Sequence, residues 1–150
     1  MTTNEALPAS DQLLGLFERL RQLASSRLPL QGSGVTIPQL TLLDWVAESP
    51  GSGIQDIADG LGLTAPTVSV GVRRLEAAGL LERRPDPDDG RAIQVFLTAQ
   101  GQTLHEQART FRRETMCRLL AGLTTEEGAM LLTLLEKAIG AVEEIPGASG

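Results

Sequence analysis

Apolar residues recur three or four places apart through most of this 150-residue chain, the spacing of helices that bury one face. The first such stretch begins near Ser10 and Asp11 and carries Leu13, Leu14, Phe17, Leu20, Leu23 and Ala24 toward Pro29. Leu30 to Val35, with Gly32, Ser33 and Gly34, reads as a flexible connection. Thr36-Ile37-Pro38-Gln39 is a capping box: the threonine hydroxyl accepts from a first-turn amide and Gln39 reaches back, while Pro38 occupies a position that needs no amide bond. The helix that follows runs to about Glu48. It is apolar on both sides, with Leu40, Leu43 and Ala47 on one and Leu42, Trp45 and Val46 on the other, so it is expected to lie between two bodies.

Ser52-x-x-Gln55 predicts a further capping box, opening a short helix through Ile54, Ile57, Ala58 and Leu61 that Gly62 breaks. Thr64 caps the next helix, with Pro66 in its first turn, from about Ala65 to Ala78, and Gly79 ends it. Val68, Gly71, Val72 and Leu75 form its inward stripe. Ser69, Val70, Arg73, Arg74 and Ala77 point the other way, with Thr67 at the edge. Beyond Gly79 the period changes: Leu80 to Arg84 is extended, Pro85 to Gly90 is turn chemistry, and Ile93, Val95 and Leu97 alternate with Ala92, Gln94 and Phe96. That is a β-hairpin with a long tip. Thr98 caps a long helix over about 99–121 with Leu104, Ala108, Phe111, Thr115, Arg118 and Leu119. Thr124-x-x-Glu127 opens a last helix over about 125–143 with Met130, Leu131, Leu134, Leu135 and Ile139, and residues 144–150 are expected to be a disordered tail.

Composition narrows the chemistry. Hydrophobic content of 41% with 21% charged residues suits a globular protein, and 3% aromatics require an aliphatic core. One cysteine excludes an intramolecular disulfide and, with one histidine, a structural zinc site, so neither metal nor cofactor is expected. Cys117 reads as a small packed hydrophobe and His105 as a surface residue, since Arg109 stands where a second ligand would. No nucleophile–base set, phosphate loop or paired carboxylate appears, and Gly60-Leu61-Gly62 lacks the context of a dinucleotide site; no catalytic residue is assigned. The absence of a long apolar run or a secretory start predicts a cytoplasmic protein without membrane contact.

The net charge of −6 is unevenly spread. Residues 64–91 are neutral, with Arg73, Arg74, Arg83, Arg84 and Arg91 balanced by five acids, so the rest of the chain carries the whole excess. Arg109, Arg112, Arg113 and Arg118 form a second basic group, of which Arg109, Arg112 and Arg113 are either a solvated face or partners for acids of a second subunit. Total charge governs attraction to a polyanion but does not decide whether one helix enters a groove.

Short helix, tight turn, second helix and hairpin, in that order over residues 36–97, predict a winged helix-turn-helix. Its second helix would enter the major groove of double-stranded DNA. Thr67, Ser69, Val70 and Arg73 are the candidates for bases, with Val70 suited to a thymine methyl and arginine to guanine, while Thr64 and Arg74 suit phosphates and Pro66 starts the helix between them. The terminal helices, 10–35 and 99–143, carry more aliphatic stripe than one small domain covers, which predicts a two-fold homodimer. The fold class is therefore mainly α with a small β-hairpin wing, one domain over 1–150.

These pieces together resemble the MarR (multiple antibiotic resistance regulator) family of bacterial transcription regulators over about residues 10–143. The likeness rests on Thr36-Ile37-Pro38-Gln39-Leu40, Ile54-x-x-Ile57-Ala58-x-x-Leu61, and Pro66-Thr67-Val68-Ser69 with Arg73-Arg74-Leu75-Glu76-x-x-Gly79-Leu80. Asp86-Pro87-Asp88-Asp89-Gly90-Arg91-Ala92 and Leu97-Thr98-x-x-Gly101 complete it. The resemblance implies a homodimer with interlocked terminal helices, recognition helices in successive major grooves of a pseudo-palindromic operator, and Arg91 in the flanking minor groove with Asp89 holding the loop. It also implies repression released by a small aromatic or anionic effector bound between dimer base and head, where Phe17, Arg21 and Trp45 are the candidates; the plainer reading of both rings is that they are core. Two departures stand out: Val70 where many members carry arginine, and an acidic wing tip with Arg91 as its sole cation. A winged-helix protein-interaction module without DNA binding is the alternative that the acidic wing would suit.

Overall fold

In the computed structural model the described residues are 3–25, 30 and 33–144. Six helices and one hairpin follow in the order α1 (Thr3–Ser25), α2 (Ile37–Glu48), α3 (Ile54–Leu61), α4 (Ala65–Ala77), β1 (Leu81–Pro85), β2 (Ile93–Leu97), α5 (Ala99–Ala121) and α6 (Thr125–Glu143). The expected tail from residue 145 lies outside the described residues, as does Gly32 of the expected connection. The chain forms two compact units, one ending at Arg112 and the other beginning at Arg113.

Most expected ends coincide with observed ones because local chemistry enforces them. The Thr36 hydroxyl accepts from the Gln39 amide at 3.4 Å while the Gln39 side chain accepts from the Thr36 amide at 3.0 Å. Thr124 and Glu127 form the same reciprocal pair ahead of α6. Gly62 and Gly79 follow α3 and α4 at φ of 65° and 75°, where a side chain would be strained.

Two expectations fail. Helix α1 starts at Thr3, seven residues ahead of Ser10, and continues through Pro8 although that residue supplies no backbone donor. The capping box at Ser52 does not form: Gly53 is the N-cap of α3 and no side chain caps it. Ser52 is instead drawn into the sheet, where it bridges Val95 and accepts from the Val95 amide at 3.0 Å. Gln55 turns along its own helix and donates to Asp59 at 2.8 Å. A backbone pairing with a strand forty residues away has no local signature, so the cap pattern misled.

The first unit is built on α2. Leu40, Leu42, Leu43 and Val46 are all buried, so both of its sides are covered, and Ile57, Ala58, Val68, Val72, Leu75, Leu81 and Val95 close around them. The hairpin pairs Leu81 with Leu97 and Pro85 with Ile93. Two glycines set close approaches. A Cβ on Gly60 would sit 2.1 Å from the Trp45 ring, and one on Gly101 would sit 2.0 Å from the Leu80 carbonyl oxygen. Within the second unit, none of the α6 residues is buried, and Met130, Leu132, Leu134, Ile139 and Val142 are each more than half exposed. On α1, Leu13, Leu14, Leu16, Phe17 and Leu23 are likewise more than half exposed.

Candidate nucleic-acid interface

Helix α4 divides its residues by period. Val68, Val72 and Leu75 are buried, which forces Thr67, Val70, Arg73 and Arg74 to the exposed side, with Ser69 half-buried between them. Its start is secured by Thr64, whose hydroxyl accepts from the Thr67 amide at 3.3 Å and lies 2.8 Å from the Thr67 hydroxyl. Pro66 sits exposed in that first turn, where a missing amide hydrogen costs nothing. Arg73 is exposed and donates from Nε to its own helix at the Ser69 carbonyl, 3.4 Å away. Val70 is 41% exposed, which places an apolar side chain in the middle of this face.

Beside this face runs a groove of about 410 Å³ between the start of α2 and α4, lined among others by Pro38, Leu42, Leu63, Thr67, Val70 and Arg74. Gly71 permits the approach of the two helices: a Cβ there would meet Leu42 at 3.0 Å.

The wing is held by its acids. Asp86 accepts from the amides of Asp88 and Asp89 at 2.8 and 3.3 Å, and Asp89 accepts from the amide of Arg91 at 3.1 Å. The carboxylates at the tip therefore serve loop geometry, and the exposed Arg91 side chain is carried on a backbone fixed by Asp89. Lower in the wing, Arg83 forks onto Glu76 of α4 with two bonds of 2.9 Å. The Arg83 guanidinium holds the Glu76 carboxyl below its ordinary range, chiefly by that hydrogen bonding. Arg84 pairs with Glu82 and stacks 4.5 Å above the Phe96 ring. Two of the five arginines between 64 and 91 are thus tied to acids, which no spacing in the sequence revealed.

Elsewhere the residues are sorted differently from expectation. His105 is not a surface residue: it is 9% exposed, with Nδ1 2.7 Å from the Asp44 carboxylate. Arg112 does not await an acid of a second subunit, because its Nη2 donates to the other oxygen of Asp44 at 2.6 Å. The acid that gathers both lies more than sixty residues upstream, beyond the reach of helical spacing. Cys117 is exposed on the chain rather than packed.

Phe17 is half exposed, so it is not core in the single chain, and Arg21 is engaged by Glu18 at 2.7 and 2.9 Å. Trp45 packs against the core and Gly60, with a buried Nε1 that has no hydrogen-bond partner. None of these three lines the groove beside α4.

Comparison with known proteins agrees with this geometry. A profile described as MarR family matches residues 33–92, which runs from three residues before the cap of α2 to the end of the wing loop. An HTH-type transcriptional repressor of Mycobacterium tuberculosis is 31% identical over 104 residues, covering 69% of this chain and 75% of that one. The chain belongs to the MarR family. It is a MarR-type transcription regulator with a mainly helical winged-helix fold. Among solved structures, Streptococcus pneumoniae FabT in complex with DNA has the same fold, with a TM-score of 0.80 over 93% of this chain and 99% of that one at 22% identity. A mutant of S. aureus MepR bound to an oligodeoxyribonucleotide is 27% identical, with a TM-score of 0.67 over 89% and 96% of the two chains. No helix among the described residues is long and apolar enough to cross a membrane.

Proposed function

We propose that this MarR-family chain is a homodimeric, sequence-specific repressor that places α4 in the major groove of a pseudo-palindromic operator. The observation that carries the reading is the division of α4, with three aliphatic residues buried and Thr67, Val70, Arg73 and Arg74 left outward beside a wing that ends in Arg91. Arg73 forks onto a guanine edge, Val70 packs on a thymine methyl, and Ser69 and Thr67 bond neighbouring bases. Thr64 at the start of α4, where Pro66 shapes the first turn, and Arg74 in its last turn meet the phosphates, and Arg91, held by Asp89, enters the minor groove. The DNA-bound MepR mutant supports DNA as the partner.

The exposed apolar stripes of α1 and α6 support a dimer formed by the terminal helices, 10–35 and 99–143, with 36–97 as the DNA-reading head. Release comes from a small aromatic or anionic effector that binds the DNA-incompetent arrangement more tightly, with Phe17, Arg21 and Trp45 as its receivers. The unpartnered indole N–H of Trp45 is a donor such a ligand could use.

The test is selection of bound fragments from genomic DNA, followed by titration of the recovered operator with the full chain and Arg73→Ala. A symmetric site with half-sites about ten base pairs apart, bound in a salt-dependent way and weakened by the substitution, is expected. Capture of a protein with no DNA retained at low salt would instead support an interaction module.

A further inference from the structure

Asp44, His105 and Arg112 form a polar cluster between α2 and α5, and the DNA-reading assignment does not use it. His105 and Arg112 stand seven residues apart on α5, two helical turns, and so share one face. Asp44 projects from the middle of α2 and gives one oxygen to each, at 2.7 Å to His105 Nδ1 and 2.6 Å to Arg112 Nη2. A carboxylate only accepts, so His105 carries its proton on Nδ1. With side-chain exposures of 19% for Asp44 and 11% for His105, the contact is shielded enough for its geometry to be held.

Past the close approach of Gly101 to Leu80 at its start, the apolar seam between α5 and the head is formed by Leu104 and Ala108 with Phe111 at its margin. Leucine and alanine contacts of that kind resist separation but tolerate rotation and sliding, because dispersion has no directional preference. A carboxylate shared by two side chains whose backbone positions stand about 10 Å apart along a helix axis resists both motions.

We infer that Asp44 is a positioning residue for DNA recognition: its clasp on His105 and Arg112 fixes the register of the winged head on α5, and through α5 the separation of the two recognition helices in the dimer. This rests on the repressor reading above. Moving one half-site by one base pair changes its position by about 3.4 Å and its facing by about 34°. A head held in register therefore discriminates between spacings, and a loosened head follows either one.

The experiment measures full-chain binding to synthetic duplexes carrying the selected half-sites at the natural spacing and at one or two base pairs more or fewer. The wild type is expected to prefer its natural spacing by at least about tenfold. In Asp44→Asn and Arg112→Gln that preference falls to about twofold, base preferences within each half-site stay as they were, and Arg112→Lys restores part of it. Thermal melting of each variant is followed in parallel, and His105→Gln replaces any that does not fold. Variants that bind more weakly at every spacing in equal proportion overturn the inference, as does a wild type indifferent to spacing. Absence of wild-type binding to any duplex marks failure of the repressor reading itself.

Discussion

At Val70 the chain exposes an aliphatic side chain in the middle of the face that would meet bases, so its contribution to recognition is apolar. Val70→Ser should lower affinity for an operator with thymine opposite this position by about threefold to tenfold, and replacing that thymine by uracil should erase the difference. Arg73→Ala should cost about 1–3 kcal/mol of binding and relax selection at one base pair, read by titration against single-base variants. Two glycines make the opposite kind of prediction. Gly60→Ala drives a methyl into the Trp45 ring and Gly101→Ala drives one into the Leu80 carbonyl. Both lower the melting temperature, Gly101→Ala more, because an indole edge can shift and a backbone carbonyl in a turn cannot. In the sequence Gly60 stands out only in Gly60-Leu61-Gly62 and Gly101 only in the motif Leu97-Thr98-x-x-Gly101, and neither pattern marks a packing role. The signal that they are needed is a neighbour brought from elsewhere in the chain.

Among the elements, the hairpin is joined to α4 by the Arg83–Glu76 fork. The carboxyl of Glu76 is held below its ordinary value in the folded chain, so its proton is bound less tightly there than in the unfolded chain. The stabilisation is complete above the ordinary glutamate range and is lost as pH falls through the lower folded value. The melting difference between wild type and Glu76→Gln should therefore be present at neutral pH and vanish in acid below the carboxylate range. The pair is well exposed, so the effect is small and falls with added salt. Capping explains why element boundaries were legible: Thr36 with Gln39, Thr64, and Thr124 with Glu127 satisfy amides within four residues of themselves. Ser52 shows where that logic ends. Its local pattern promised a cap, and strand pairing with Val95 took the residue instead.

For the whole molecule, the apolar stripes of α1 and α6 and the distribution of cations make separate predictions. Leu134→Glu with Ile139→Glu should convert the proposed dimer to monomer in sedimentation, and operator binding should fall with it while the head stays folded. The salt dependence of binding tests the charge layout. Arg83 and Arg84 are paired with acids, which leaves Arg73, Arg74 and Arg91 in each protomer to meet DNA. The logarithmic salt slope of the dimer should then be no steeper than about −5.

Helix α4 and its neighbours were written in the chain because everything that shapes them is local: a period, a cap, a proline and a terminating glycine all act within a few residues. The order helix, turn, helix and hairpin followed from those same signals, and with it the outward face of Thr67, Val70, Arg73 and Arg74. Folding alone decided which arginines are spoken for, which glycines are indispensable, and that Asp44 would draw His105 and Arg112 to one point. Such pairings depend on distances between residues far apart along the chain. Those distances come into existence only when the apolar faces have closed on one another.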